Sequence, residues 1–79
     1  MIWNYKMIEH SEKMYIYAYS IESNKLDGCI KFDICEGKAT IMKPSKEDEN
    51  ILKAHKKALE HFYTVVRENY PEERSICCG

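Results

Sequence analysis

Helical periodicity occurs once in this chain, over 46–69, and one amphipathic helix can shield only one face of a sheet. On a helical wheel Ile51, His55, Ala58, Leu59, Phe62, Val65 and Val66 form the centre of the apolar stripe, flanked by Leu52, Ala54 and Tyr63. Lys53, Lys57, Glu60, Thr64, Arg67 and Glu68 fall on the water side. Ser45 reads as the N-cap with Asp48 as its reciprocal partner, and Glu47, Asp48 and Glu49 sit at the positive end of the macrodipole. Pro71 disfavours helical geometry at Tyr70 and ends the helix, which at 1.5 Å per residue spans about 36 Å.

The residues before this helix read as strands. Two β-rich runs, 1–9 and 14–22, flank the polar stretch His10-Ser11-Glu12-Lys13, the pattern of a hairpin. After the loop Ser23-Asn24-Lys25-Leu26-Asp27-Gly28, Ile30, Phe32 and Ile34 alternate with Lys31 and Asp33, and Glu36-Gly37 supplies a turn into 38–43. The expected fold is therefore α+β: an antiparallel meander of about four strands (1–9, 14–22, 29–35 and 38–43) with the helix 46–69 packed on one face. The segment 74–78 reads as a short fifth strand or a frayed tail. Residues 1–79 make one domain, a size that buries only about 60–65% of the unfolded surface.

Turn placement sets which side chains share a face. A first turn centred on Ser11 and Glu12 puts Met7 opposite Ile16, Tyr5 opposite Ala18 and Trp3 opposite Ser20. Ile8 then meets Tyr15, Lys6 meets Tyr17, Asn4 meets Tyr19 and Ile2 meets Ile21 on the other face. With Ile34 paired to Ala39 and Phe32 to Ile41, a common core face follows if Ala18 lies across from Phe32 and Ile16 across from Ile34. The helix is assigned to that face, which leaves Tyr15, Tyr17 and Tyr19 on the open one with Lys6 and Lys31 around them. The inverse arrangement buries the tyrosines, exposes Met14, Ile16 and Ala18, and needs a different register for Ile30, Phe32 and Ile34.

The chemistry-bearing residues form no recognisable constellation. Cys29 and Cys35 would stand about 20 Å apart on one strand, and Cys77 and Cys78 are neighbours, so a disulfide framework is not expected. C-x-x-C spacing does not occur among Cys29, Cys35, Cys77 and Cys78, His10 is remote in sequence, and His55 and His61, six positions apart, point to different helix faces, so no metal is expected. His55, within the apolar stripe, reads as a core histidine with a hydrogen-bond partner. There is no Gly-rich phosphate loop, nucleotide fingerprint or Ser/His/Asp pattern, and neither an enzyme nor a cofactor is expected.

Twelve Lys plus Arg against thirteen Asp plus Glu leave a net charge of −1, which provides no global attraction to nucleic acid or an anionic membrane. No apolar run approaches the roughly 20 residues of a membrane span, and the first residues lack a signal-peptide pattern, so a cytoplasmic location is expected. The expected role is a non-enzymatic interaction module that forms a homodimer through the tyrosine-rich face or a sheet edge. The alternative is a single-stranded nucleic-acid binder with Tyr15, Tyr17 and Tyr19 as a stacking platform and Lys6 and Lys31 near phosphates, disfavoured by charge. A third reading gives the tyrosines no partner and attributes them to strand propensity alone.

Overall fold

The computed structural model describes residues 1–46 and 52–77, side chains of 52–55 excepted. It shows five antiparallel strands and one helix: β1 Ile2–His10, β2 Met14–Ile21, β3 Gly28–Asp33, β4 Lys38–Lys43, α1 Leu52–Arg67 and β5 Glu73–Cys77. The sheet order is β4-β3-β2-β1-β5, so the meander runs outward to β4 and the chain returns through α1 to place β5 beside β1. The α+β architecture and the meander agree with the periodicities of the sequence, and Glu73–Cys77 forms a strand rather than a tail. At the expected helix start Ser45 and Lys46 are not helical, and residues 47–51, Asp48 among them, lie outside the described residues, as does Cys78.

The faces are inverted relative to the sequence expectation, and a bulge is the reason. Trp3 pairs with Ile21 and Tyr5 with Tyr19, but between Met7 and Glu9 the register shifts, so that Glu9 pairs with Ile16. One extra residue in β1 therefore moves every pair beyond it by one position, and a one-residue slip exchanges the two faces of a strand. The β2–β3 register follows suit, with Tyr15 opposite Phe32 and Tyr17 opposite Ile30. The last pairing, Phe32 with Ala39 and Ile30 with Ile41, is shifted by two and keeps its face; Ile34 thereby moves into the turn ahead of Gly37, whose φ is +64°.

The resulting core is aromatic. Trp3, Tyr5, Tyr17, Tyr19, Ile21, Ile30, Phe32 and Ala39 from the sheet meet Ala58, Phe62 and Val65 from α1. Phe62 occupies the centre, with ring centroids 5.7 Å from Tyr5, 5.2 Å from Tyr17 and 6.2 Å from Phe32. The hydroxyls that these rings bring inside are bonded, as burial requires: Tyr5 Oη donates to the Ala58 carbonyl at 2.6 Å and Tyr17 Oη to the Pro71 carbonyl at 2.6 Å.

The helix ends in a Schellman motif. Asn69 adopts a left-handed conformation, its N–H reaching the Val66 carbonyl at 3.1 Å, and the Tyr70 N–H reaches back to the Val65 carbonyl at 3.1 Å. Tyr70 is also left-handed, and this places its ring flat on Tyr15, centroids 3.8 Å apart and planes 4° from parallel. The helix thus stops two residues before the expected end.

Candidate functional site

With Tyr17 and Tyr19 fully buried and Tyr15 half-buried beneath Tyr70, the tyrosines are roof-side core residues and not a surface. This corrects the assignment of Tyr15, Tyr17 and Tyr19 to an open face, and with it both the tyrosine-faced dimer and the stacking platform. Lys6 and Lys31 are exposed, as expected, but on the side of the sheet opposite those rings. The side chain of His55 lies outside the described residues.

The uncovered side of the sheet carries Asn4, Lys6, Ile16, Ala18, Ser20, Cys29, Lys31 and Thr40. Among the described residues its exposed large apolar members are Ile2 at 39% and Met42 at 59%, on strands at opposite sides of the sheet. Burial pushes the Cys29 thiol pKa up, partly offset by Lys43, the direction opposite to thiolate activation.

One end of that side is built up into a cleft. The segment after β2 folds back over the sheet, held where the Ser20 hydroxyl and the Asn4 amide (2.8 Å) both donate to the Ser23 carbonyl. Glu22 and Leu26, at the two ends of this arch, have left-handed φ of 68° and 49°, an uncommon conformation for residues with a Cβ. The Asp27 carboxylate then fixes the far end, accepting from Ser45 Oγ at 2.7 Å and from the Lys46 N–H at 3.0 Å, and these bonds hold its pKa below the usual carboxylate range. Between the arch and β5 lies a cavity of about 310 Å³.

Asn4, Lys6, Asn24, Leu26, Glu73 and Ser75 line it, with contributions from Tyr5 and Arg74. The Ser75 hydroxyl donates to Asn4 Oδ1 at 2.5 Å, which with the Ser23 contact fixes both ends of the Asn4 amide. Lys6 Nζ stands 3.8 Å from Glu73 Oε1. Arg74 is held by Glu68 through Nε at 2.7 Å and Nη2 at 3.1 Å. Among the described residues no three His, Cys, Asp or Glu side chains converge on a point that could hold a metal ion. The sequence places Lys6 beside the tyrosines rather than in this cleft and does not single out Asn4, Asn24, Leu26, Glu73 or Ser75, because arch and β5 meet only in three dimensions; an isolated Leu26 in a polar loop is the one local signal.

The two sheet edges differ. Met7 N–H bonds the Glu72 carbonyl at 2.8 Å, and Glu22 N–H bonds the Ile2 carbonyl at 2.8 Å. Backbone groups alternate in direction along an antiparallel ladder, so Trp3, Tyr5 and Met7 point toward β5 and pair there with Ile76, Arg74 and Glu72. Glu73, Ser75 and Cys77 therefore direct their backbone groups outward from β5. The same alternation turns Ala39 outward from β4, but there the Tyr63 hydroxyl accepts its N–H at 3.0 Å. No helix among the described residues is long and apolar enough to cross a membrane.

Comparison with family models, curated proteins and solved structures finds no match for this chain.

Proposed function

We propose that this protein is a non-enzymatic interaction module that pairs with a second copy of itself along the outer edge of β5. The supporting observation is the outward direction of Glu73, Ser75 and Cys77 on a strand at the margin of the sheet. These three positions are symmetric about Ser75, so a two-fold axis through that residue matches each copy's donors with the other's acceptors. Glu73 then faces the partner's Cys77, Arg74 faces the partner's Ile76, and no like charges are directly opposed. Pairing merges two sheets into one and removes an exposed edge. The β4 edge is the poorer candidate because Tyr63 already occupies the Ala39 N–H. On β5, the Arg74 guanidinium donating to the Ser75 carbonyl must move aside, a small cost for an exposed contact.

Light scattering across a dilution series tests this reading, with Ser75→Pro as the control. Proline removes the Ser75 N–H, which is not used in the β1 ladder, so it blocks the edge while the monomer keeps its pairing to β1. The reading predicts a mass that doubles with concentration for the native chain and stays monomeric for Ser75→Pro. A native monomer at every concentration, or a dimer unaffected by the proline, contradicts it.

A further inference from the structure

We infer that the cleft between the 22–26 arch and β5 is a binding site for a free α-amino acid. The volume of about 310 Å³ lies at the small end of the range for ligand sites, so the occupant is compact. Its charge character follows from the walls. Lys6 is balanced by Glu73 at 3.8 Å and Arg74 by Glu68 at 2.7 Å, so the cleft has no net charge to favour an isolated anion or cation. It offers instead one ammonium and one carboxylate side by side, the complement of a zwitterion.

The Lys6–Glu73 pair is exposed on both members, and such contacts contribute little, so a ligand can open it at small cost. The ligand carboxylate then accepts from Lys6 and the ligand ammonium donates to Glu73, two charge-assisted bonds in place of one long contact. Asn4 and Ser75, already oriented by their mutual bond and by the Ser23 carbonyl, form a polar floor that needs no reordering on binding. Half-buried Leu26 gives the ligand side chain an apolar surface, and Asn24 lines the same cleft. This site is independent of β5 edge pairing, because it uses the side chains on the sheet face and not the outward backbone.

The test is a heteronuclear NMR titration of the full chain with each of the standard free amino acids up to about 10 mM, a range in which millimolar sites fill. N-acetylated and carboxyl-amidated forms of the best binder, anion only and cation only, serve as controls. The inference predicts saturable shifts at Asn4, Lys6, Asn24, Leu26 and Ser75 for at least one zwitterion, and affinity at least about tenfold lower for each blocked form. Lys6→Met and Glu73→Gln, both at exposed positions, should each weaken binding by a similar factor with the spectrum otherwise unchanged. Absence of saturable shifts with every amino acid, shifts located elsewhere, or equal affinity for a blocked form overturns it.

Discussion

Gly28 lies directly against the ring of Tyr19: a Cβ on Gly28 would fall 2.3 Å from Tyr19 Cε1 and 2.8 Å from the Ser45 backbone nitrogen. The two residues are paired across β2 and β3, and the ring crosses the space a side chain would fill so that its hydroxyl can accept the Ser45 N–H at 3.0 Å. Because Ser45 also donates to Asp27, this contact ties the end of the meander to the base of the arch. Gly28→Ala should therefore destabilise the fold by about 1–3 kcal/mol, the usual cost of overpacking. Denaturant unfolding measures it, and a change within about 0.5 kcal/mol would show that the ring is not held there.

Phe62 touches Tyr5, Tyr17 and Phe32 and has no exposed surface. Phe62→Ala is expected to cost about 3–5 kcal/mol, the range for a buried phenylalanine. In a domain whose total stability is of order 5–15 kcal/mol, that leaves a marginal fold, visible as a large drop in the unfolding midpoint.

Tyr17 links the burial of the sheet face to pH. Burial, reinforced by Tyr15 and Tyr70, pushes its phenol pKa up to about 12. Above pH 10 the unfolded chain loses this proton while the folded chain retains it, so the unfolded state binds fewer protons and stability falls with rising pH. The contribution is complete below about pH 10 and is lost as pH rises toward 12. Tyr17→Phe should flatten this alkaline limb, at a neutral-pH cost of about 0.5–1.5 kcal/mol for the lost bond to the Pro71 carbonyl. Stability measured from pH 8 to about 12 tests both effects.

At the acid end, the bonds from Ser45 and Lys46 lower the Asp27 pKa. Its stabilising effect is therefore present above the ordinary aspartate value of about 3.8–3.9 and lost as pH falls below it through the lowered folded value. Asp27→Asn should give a stability profile with a weaker acid decline than the native chain, measured by thermal unfolding between pH 7 and about 2.

How far the fold could be read from sequence depends on the kind of signal. Alternation in Ile30-Lys31-Phe32-Asp33 and the stripe Ala58, Phe62, Val65 report element type directly, and they locate β3 and the buried side of α1. The face of β2 was not legible, because it depends on whether an even or odd number of residues lies between paired positions. The bulge at Ile8, which leaves that side chain 58% exposed, changes this parity without any residue type that announces it. Ile16 and Ala18 look as fit for a core as Tyr17 and Tyr19 on hydrophobicity alone. The volume of the aromatic set does distinguish them: Trp3, Tyr5, Tyr17 and Tyr19 share a face only in the observed register, and together they bury far more surface under one helix.

The location of the cleft follows from that inversion. Had the helix covered Ile16 and Ala18, Lys6 would have neighboured Tyr17; instead it neighbours Ala18 on the open side, with Glu73 opposite on β5. The arch and β5 are separated by about fifty positions in sequence, which is why Asn24, Leu26 and Ser75 carry no joint pattern there.

Hydroxyl-radical footprinting read by mass spectrometry addresses the central point, the placement of the tyrosine face beneath α1. Met42, 59% exposed, and Ile8, 58% exposed, report the reactivity of open side chains, whereas Tyr17 and Tyr19 have no exposed surface. The structure predicts rapid oxidation of Met42 and Ile8 with Tyr17 and Tyr19 protected until the chain is unfolded. Oxidation of Tyr17 and Tyr19 in the native protein to the extent seen in the unfolded chain would contradict it.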